Sequence, residues 1–404
     1  MNQIMYRKYR FCYCPRPIVD EKIVYPPMVK LLFISLILMC LTSCGSGPSA
    51  SKRDRVEQSS SIDDNEFTNE TVAFGLSYPG VAEIENREFT LSNLQALSLS
   101  RIRFDEGWKY REPIEGEFNW APLDDRMQWL ADNEISVLLT VPSNGPSWAC
   151  EPDLSNERTC VYSDANKFEN YIRTLLQRYP NQIEQIQFGN EWLSSYWFLG
   201  SASEFVEYNN IVYRSVQLHS PNTKVVLGGF ASGSLSIASY CAGDLDQFFE
   251  EQSGNLIDAS QRDDVCNSEL VLFSQHMLET VLESARFDYL DFHLYDDVEN
   301  WNIYFQTMRN LIGDSVPVIV GEFGGPNLIW EQPYSDEFQA ARLEQYLDAL
   351  SGMDIREAYY FKLVQSESAL AAHWESGLYK LKDNIYIKKP AFDAFEQFMG
   401  DYSN

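Results

Sequence analysis

Short apolar runs alternate with longer amphipathic stretches along most of the chain, from about residue 72 onward. Short continuous apolar runs are typical of buried parallel strands, and apolar positions spaced three or four apart are typical of helices that cover a sheet. This pattern predicts strands at 72–76, 101–104, 135–141, 183–188, 224–228, 289–293, 316–321 and 357–363.

Helical stretches fill most of the intervals between these strands. They are predicted at 122–133, 164–179, 203–219, 270–283, 301–312 and 336–350, with a last helix at 391–399. Asp164 and Ser203 stand where helix N-caps are expected. Strands that alternate with helices indicate a parallel sheet with helical crossovers. Eight such units predict one α/β domain over residues 71–404, a (β/α)8 TIM barrel. A doubly wound open sheet is the alternative. The polar segment 232–268 is expected to be a loop on the active face.

The first part of the chain does not follow this alternation. Lys30 precedes an apolar run at 31–41, which is shorter than the roughly 20 residues that span a bilayer but fits the apolar region of a signal peptide. The run ends in Leu-Thr-Ser-Cys44, which resembles a bacterial lipobox. We expect residues 1–43 to be a signal peptide, with 1–27 untranslated if Met28 is the start. A plain secreted protein or a short anchor helix are the alternatives.

The lipobox resemblance implies a lipid anchor at Cys44. Because Gly45 and not Asp follows this cysteine, we expect export to the outer membrane of a Gram-negative bacterium, with the periplasmic and surface-facing sides both open. Residues 44–70 are rich in Ser, Asp and Asn and read as a flexible tether. The chain has a formal net charge of -28. Such a chain repels nucleic acid and anionic lipid, so only the lipid would hold it to a membrane.

Cysteine usage agrees with export. Beyond Cys44, four cysteines remain, and an even number in an exported chain indicates disulfides. Of three possible pairings, Cys150 with Cys160 and Cys241 with Cys266 is the simplest because each bond closes a local loop. The cysteine spacing does not fit a zinc site and the chain has four histidines, so we predict no metal and no other cofactor. We expect a monomer.

The chemistry of a (β/α)8 barrel lies at the carboxyl ends of its strands. Asn190 and Glu191 follow the fourth predicted strand, and Glu322 follows the seventh. Taken alone, the first pair is equally typical of a helix N-cap with an acid in the first turn, and Glu322 of an ordinary loop acid. Together they place two carboxylates across the mouth of one barrel.

This arrangement resembles clan A of the glycoside hydrolases, the 4/7 superfamily of retaining enzymes, over the chain from about residue 72. "REPIEGEFNW", within 108–120, resembles the segment after strand two. "FHLY", at 292–295, resembles the end of strand six, and "SGLYKLKDNIYIKKPAFDAF" resembles the closing segment. The motifs are specific for the clan but not for one family within it.

The resemblance implies a role for each candidate residue. Glu191 would be the general acid/base and Glu322 the nucleophile. Asn190 would hold the sugar 2-OH, Arg103 would keep Glu322 ionised, and Tyr295 would donate a hydrogen bond to it.

Five further residues are candidate sugar ligands: His293 for a hydroxyl, Trp148 as a stacking wall, Trp192 and Trp197 as sugar platforms, and Trp374. Many clan members carry a Trp at the end of strand eight, where this chain has none, so Trp374 would have to fold back to take that place. The alternatives are an ion pair inside the barrel for Arg103, a strand cap for His293 and a core position for Trp148.

The predicted function is hydrolysis of a β-linked poly- or oligosaccharide with retention, through a covalent glycosyl-enzyme. Two alternatives stay open. One is a glycan-binding barrel lipoprotein without catalysis, whose hallmark would be the loss of one carboxylate. The other is a transglycosylase that uses the same residues with a sugar acceptor.

Overall fold

The structure, a computed structural model, describes residues 71–251, 253–295, 297–329, 333–365, 373 and 375–402. The predicted signal peptide and tether, and Trp374, lie outside these residues. Within them, no helix combines the length and the apolar character needed to cross a bilayer.

Eight parallel strands form a closed barrel in which each strand pairs with its neighbours in sequence. They are β1 (Ala73–Ser77), β2 (Arg101–Asp105), β3 (Ser136–Val141), β4 (Gln185–Phe188), β5 (Lys224–Phe230), β6 (Tyr289–Tyr295), β7 (Val318–Gly324) and β8 (Glu357–Tyr360). The first strand pairs with the last, from Ala73 opposite Glu357 to Leu76 opposite Tyr360. The predicted barrel is therefore confirmed and the open sheet is excluded.

Nine longer helices surround and close this barrel in the described part of the chain. They are α1 (Ile84–Ala96), α2 (Ala121–Asp132), α3 (Ala165–Arg178), α4 (Ala202–His219), α5 (Ser232–Ala242), α6 (Glu269–Ser284), α7 (Trp301–Ile312), α8 (Asp336–Ser351) and α9 (Pro390–Tyr402). Asp164 caps α3 as predicted, accepting a hydrogen bond from the backbone N–H of Asn166. The cap predicted at Ser203 is wrong: Ser201 caps α4 in a reciprocal capping box with Glu204.

The core has two parts, because side chains alternate between the two faces of each strand. A small cluster fills the barrel interior, formed by Leu138, Val226, Ile319 and Tyr359. A larger cluster fills the space between strands and helices, where Leu290, Phe292 and Leu294 of β6 are buried. Their neighbours Asp291, His293 and Tyr295 belong to the opposite, interior face, which is how β6 delivers polar groups to the mouth.

Two disulfide-closed segments stand beside the barrel. Cys150–Cys160 joins the two strands of a hairpin that follows β3, Cys150–Ser155 and Cys160–Tyr162. Cys241–Cys266 closes a segment that follows β5. Both predicted pairings are confirmed.

The segment between β5 and α6 is only partly the loop that was predicted. It opens with α5, continues with a small hairpin of Phe248–Phe249 and Leu256–Ile257, and ends in a short helix, Arg262–Cys266. We call residues 243–268 the β5 insertion. Its polar composition concealed these elements because little of it is buried.

Candidate active site

Glu191 lies in a tight turn directly after β4. Gly189 and Glu191 have φ angles of 72° and 43°, in the left-handed region. For Glu191 this backbone costs on the order of 1–3 kcal/mol, a form of strain that is concentrated at functional sites. Helix α4 begins later in the chain and is capped by Ser201. The interpretation of Asn190 and Glu191 as a helix N-cap is therefore wrong.

Two side chains hold the Glu191 carboxylate, one on each oxygen. The indole N–H of Trp197 donates to Oε2 over 2.8 Å, and Nδ1 of His293 lies 2.8 Å from Oε1. The Glu191 side chain keeps 21% of its exposure. It is the more open of the two predicted catalytic carboxylates, and a ligand entering the mouth can reach it.

Glu322 lies opposite His293 on the paired strands β6 and β7. One extra residue, Gly321, bulges from β7 just before it, and the Gly321 N–H donates to Asp291 Oδ1 over 2.5 Å. Bulges of this kind re-aim a side chain beside an active site. Here the bulge brings Glu322 into the ladder position where it faces His293.

The Glu322 carboxylate is almost fully buried and bound on both oxygens. Arg103 Nη1 donates to Oε1 over 2.5 Å, and the Tyr295 hydroxyl donates to Oε2. Burial alone would raise the pKa of Glu322, but the charges of His293 and Arg103 and the Tyr295 hydrogen bond outweigh it and lower this pKa to about 2. Glu322 is therefore ionised at neutral pH, the state that a nucleophile requires.

Arg103 connects Glu322 to the residue before Glu191. It is fully buried, and its Nη2 donates to Asn190 Oδ1 over 2.8 Å. Since the Asn190 carbonyl is occupied by Arg103, its NH₂ group is left to donate to a ligand. The contact of Arg103 with Glu322 is the one predicted for it.

His293 is fully buried and has a carboxylate on each ring nitrogen. Nδ1 faces Glu191, and Nε2 lies 3.2 Å from Asp291 Oδ2. Burial lowers the pKa of His293, but the charges of Glu322 and Asp291 outweigh it and raise this pKa to about 10. The ring thus carries both protons at neutral pH. With both nitrogens occupied, His293 positions Glu191 and has no free nitrogen for the sugar hydroxyl predicted as its partner.

The ring of His293 fits only because β5 has a glycine beside it. A Cβ on Gly229 would lie 2.1 Å from His293 Nε2. Any larger residue at 229 would displace the ring from Glu191 or from Asp291.

Two of the tryptophans predicted to bind sugar, Trp148 and Trp192, donate no hydrogen bond to the predicted catalytic carboxylates in the described part of the chain. Trp148 is half-buried, packs edge-on against Trp108 at 5.5 Å, and donates its indole N–H to the Glu112 carbonyl. In the described part of the chain, no hydrogen bond or ring contact links it to either predicted catalytic carboxylate. Trp192 is buried and stacks on Phe205, so it is a core residue and not a sugar platform.

Several residues of the site were missed in the sequence. Asp291 lies two positions before His293 on β6, so strict alternation along that strand would have identified it. Asp105, at the end of β2, accepts a hydrogen bond from the Tyr78 hydroxyl over 2.5 Å. Burial raises the pKa of Asp105 to about 6, although the Arg103 charge opposes the shift. Nothing in the local sequence marks Tyr78, which follows β1 with a φ of 50°.

An aromatic group lines the mouth beside Glu322. Phe361 follows β8, and its ring centroid lies 5.8 Å from Tyr78, 6.0 Å from Tyr295 and 4.8 Å from His373. The family resemblance implies a Trp at this strand end, so Phe361 was not among the predicted residues.

Three polar side chains of the site lie close enough together to bind one ligand or one metal ion. Glu191, His293 and Glu322 each place one oxygen or nitrogen atom within 4.8 Å of the others. Such a trio is a candidate metal site, but here Arg103 and Tyr295 bind Glu322 and His293 binds Glu191. The same spacing brings an oxygen of each carboxylate within 4.8 Å of the other, close enough for both to reach one ligand.

Comparisons with known proteins agree with this fold. The sequence model of the family described as beta-galactosidase (Glyco_hydro_42) matches residues 83–154, which is less than half of the chain. No curated protein matches the sequence.

Solved structures match across most of the chain. A family 39 glycoside hydrolase from Bacteroides cellulosilyticus WH2 has a TM-score of 0.56 at 13% identity, covering 82% of this chain and 64% of its own length. A GH5_18 protein from Bifidobacterium longum subsp. infantis has a TM-score of 0.57 at 11% identity, covering 82% and 79%. Xylanase 10B from Thermotoga maritima has a TM-score of 0.55 at 12% identity, covering 82% and 95%.

At these identities the structural likeness establishes the (β/α)8 fold. The fold, the carboxylate pair and the partial family match together support a glycosidase of clan A.

Proposed function

We propose that this protein is a retaining glycosidase that cleaves a β-linked poly- or oligosaccharide. The observation that carries the proposal is the carboxylate pair, with oxygens of Glu191 and Glu322 within 4.8 Å of each other. Retaining enzymes hold their carboxyl groups about 5–5.5 Å apart, whereas inverting enzymes need about 6.5–9.5 Å to admit a water.

In the first step, an oxygen of Glu322 attacks the anomeric carbon. The bond from that carbon to the leaving oxygen breaks, and the leaving oxygen takes a proton from Glu191. The low pKa of Glu322 keeps this nucleophile ionised, and the amide of Asn190 is placed to hold the hydroxyl next to the reacting carbon.

In the second step, Glu191 acts as a base. It takes a proton from water, whose oxygen attacks the anomeric carbon and breaks its ester bond to Glu322. Arg103 and Tyr295 stabilise the carboxylate that is released, since both already donate to its two oxygens. His293 and Trp197 keep Glu191 in one place through both steps.

The β-linkage is supported by the description of the matching family as beta-galactosidase, and by similar structures titled beta-glucosidase and xylanase. An exposed carbohydrate polymer is a suitable substrate for an enzyme that we propose is tethered to the outer membrane through Cys44.

The test uses two variants and azide. Glu322→Ala should abolish hydrolysis of an activated aryl β-glycoside, and azide should restore turnover with a glycosyl azide of inverted configuration. Glu191→Ala is the matched control, and with azide it should release a product of retained configuration. A Glu322→Ala variant that hydrolyses without azide would refute the assignment, as would a mechanism-based fluorosugar that labels another carboxylate.

A further inference from the structure

Glu251 is a further carboxyl group of the barrel mouth, and the charge of the proton donor Glu191 acts on it. It belongs to the β5 insertion and follows the first strand of its small hairpin. Its backbone carbonyl accepts a hydrogen bond from the side chain of Asn327 over 3.1 Å. Asn327 is buried in the loop after β7. The insertion is therefore fixed to the loop that follows the strand of the nucleophile.

The side chain of Glu251 points toward the rim of the barrel. Its Oε2 lies 3.4 Å from the position of a Cβ on Gly233, in the first turn of α5. The neighbouring Ser232 donates to the carbonyl of His293 over 2.9 Å and accepts from the N–H of Tyr295 over 2.7 Å. The carboxylate of Glu251 thus lies over the residues that join β5 to the end of β6.

This carboxylate has no protein partner among the described residues, since neither a hydrogen bond nor an ion pair reaches its oxygens there. The side chain is nevertheless half-buried. Burial raises the pKa of Glu251 to about 7, and the charges of Glu191 and Glu250 add to the rise. Ser232, beside Gly233, holds the backbone of His293, and the ring of His293 holds Glu191. The Glu251 carboxylate therefore lies on the side of the mouth where the proton donor is held.

The proton donor of a retaining glycosidase serves the leaving group. We infer that Glu251 binds hydroxyl groups of the sugar on the leaving-group side of the scissile bond. The inference rests on the proposed function and deepens it. A half-buried carboxylate without a donor is costly, and sugar hydroxyls supply the missing donors. The leaving group must then be a sugar with at least one free hydroxyl, so the natural substrate is an oligo- or polysaccharide rather than a glycoside of an apolar alcohol.

The experiment compares two substrates of the wild-type enzyme and of Glu251→Ala. One is a β-linked oligosaccharide, and the other is the p-nitrophenyl β-glycoside of the same sugar, whose leaving group lacks hydroxyls. The ratio of kcat/KM for the oligosaccharide to kcat/KM for the aryl glycoside should fall about 10- to 100-fold, as expected when a charged hydrogen bond is lost. Glu251→Gln keeps one acceptor oxygen, so its ratio should lie between those of the wild type and Glu251→Ala. Asp264→Ala is the matched control, because Asp264 is exposed on the same insertion, and it should keep the wild-type ratio.

An unchanged ratio in both Glu251 variants would overturn the inference, and so would an equal loss on both substrates. Thermal unfolding of all variants separates a binding effect from misfolding, and the graded Glu251→Gln value provides a second measure if Glu251→Ala is unstable. A wild-type enzyme that cleaves no glycoside of any sugar would refute the proposed function itself, and this inference with it.

Discussion

Tyr295→Phe tests the electrostatic design of the site because it removes one oxygen atom from the environment of Glu322. The Tyr295 hydroxyl donates to Glu322 Oε2, and its own pKa is raised well above the usual range by burial and by the Glu322 charge, so it donates at every working pH. Arg103 remains on the other oxygen. The substitution keeps the ring, and therefore the packing against Phe361 and His373.

The expected change in the pKa of Glu322 follows from the strength of the hydrogen bond that is lost. A hydrogen bond to a charged group contributes about 1.5–3 kcal/mol, and each pKa unit corresponds to about 1.36 kcal/mol. Loss of the bond should therefore raise the pKa of Glu322 from about 2 to about 3–4. The acid limb of kcat/KM reports groups of the free enzyme, so it should move upward by about 1–2 pH units, on the pKa scale of the same principle.

The free energy of unfolding gives a second measure of the change in the pKa of Glu322. A glutamate in an unfolded chain has a pKa of about 4.3. Because the folded pKa is lower, ionised Glu322 stabilises the fold above that value, and the stabilisation is lost as the pH falls towards 2. The free energy of unfolding of Tyr295→Phe should be lower than that of the wild type at pH 7, and the difference should shrink below about pH 3.

The matched control is Tyr360→Phe. Tyr360 is also fully buried, and its hydroxyl donates to the Ser376 carbonyl over 2.5 Å and not to Glu322. It should lose stability without moving the acid limb. If the two variants show the same acid limb, the hydroxyl of Tyr295 does not set the ionisation of Glu322 and the reasoning fails.

Three further predictions concern the parts of the molecule that support the site. Trp197→Phe removes the donor to Glu191 Oε2 and should lower kcat/KM about 10- to 100-fold for poor leaving groups, but much less for dinitrophenyl glycosides, which need no protonation. An equal loss on both would contradict this role. Replacing Cys150 and Cys160 with Ser opens a loop with a sequence separation of 10, and the free energy of unfolding in urea should fall by about 2–3 kcal/mol. An unchanged urea midpoint would show that this disulfide does not stabilise the fold. Cys44→Ala should move the protein from the membrane fraction to the soluble fraction and abolish labelling by a fatty-acid analogue. A variant that stays in the membrane fraction would contradict the proposed anchor.

The strands were predictable because apolar residues on each of them are buried against the surrounding helices. All eight lie where the sequence placed them, within a few residues at their ends. Helix α1 was missed because its apolar positions do not form a clear stripe. The hairpin after β3 and the β5 insertion were also missed as structure, since disulfides and a few hydrogen bonds hold them and not an apolar pattern.

The site was predictable only where chemistry coincides with a strand end. Glu191 and Glu322 met that condition, and Arg103 lies two residues before the end of β2. Trp197 did not, because its contact with Glu191 depends on the turn after β4. The role of His293 was misjudged because its surroundings come from three different strands: Glu191 follows β4, Asp291 shares β6, and Gly229 on β5 makes the space. Contacts of this kind are set by barrel closure, which no local pattern encodes.

The doubly protonated ring of His293 has a consequence for how this enzyme would respond to its surroundings. A histidine is the usual sensor of pH changes around neutrality. Here His293 does not act as such a sensor, because its pKa of about 10 keeps it protonated over the whole physiological pH range. Asp105 and Glu251, with pKa values of about 6 and about 7, are the carboxyl groups poised to titrate there. A change in external acidity would therefore alter the charge of groups at the walls of the mouth, while His293 keeps a constant charge beside the predicted catalytic carboxylates.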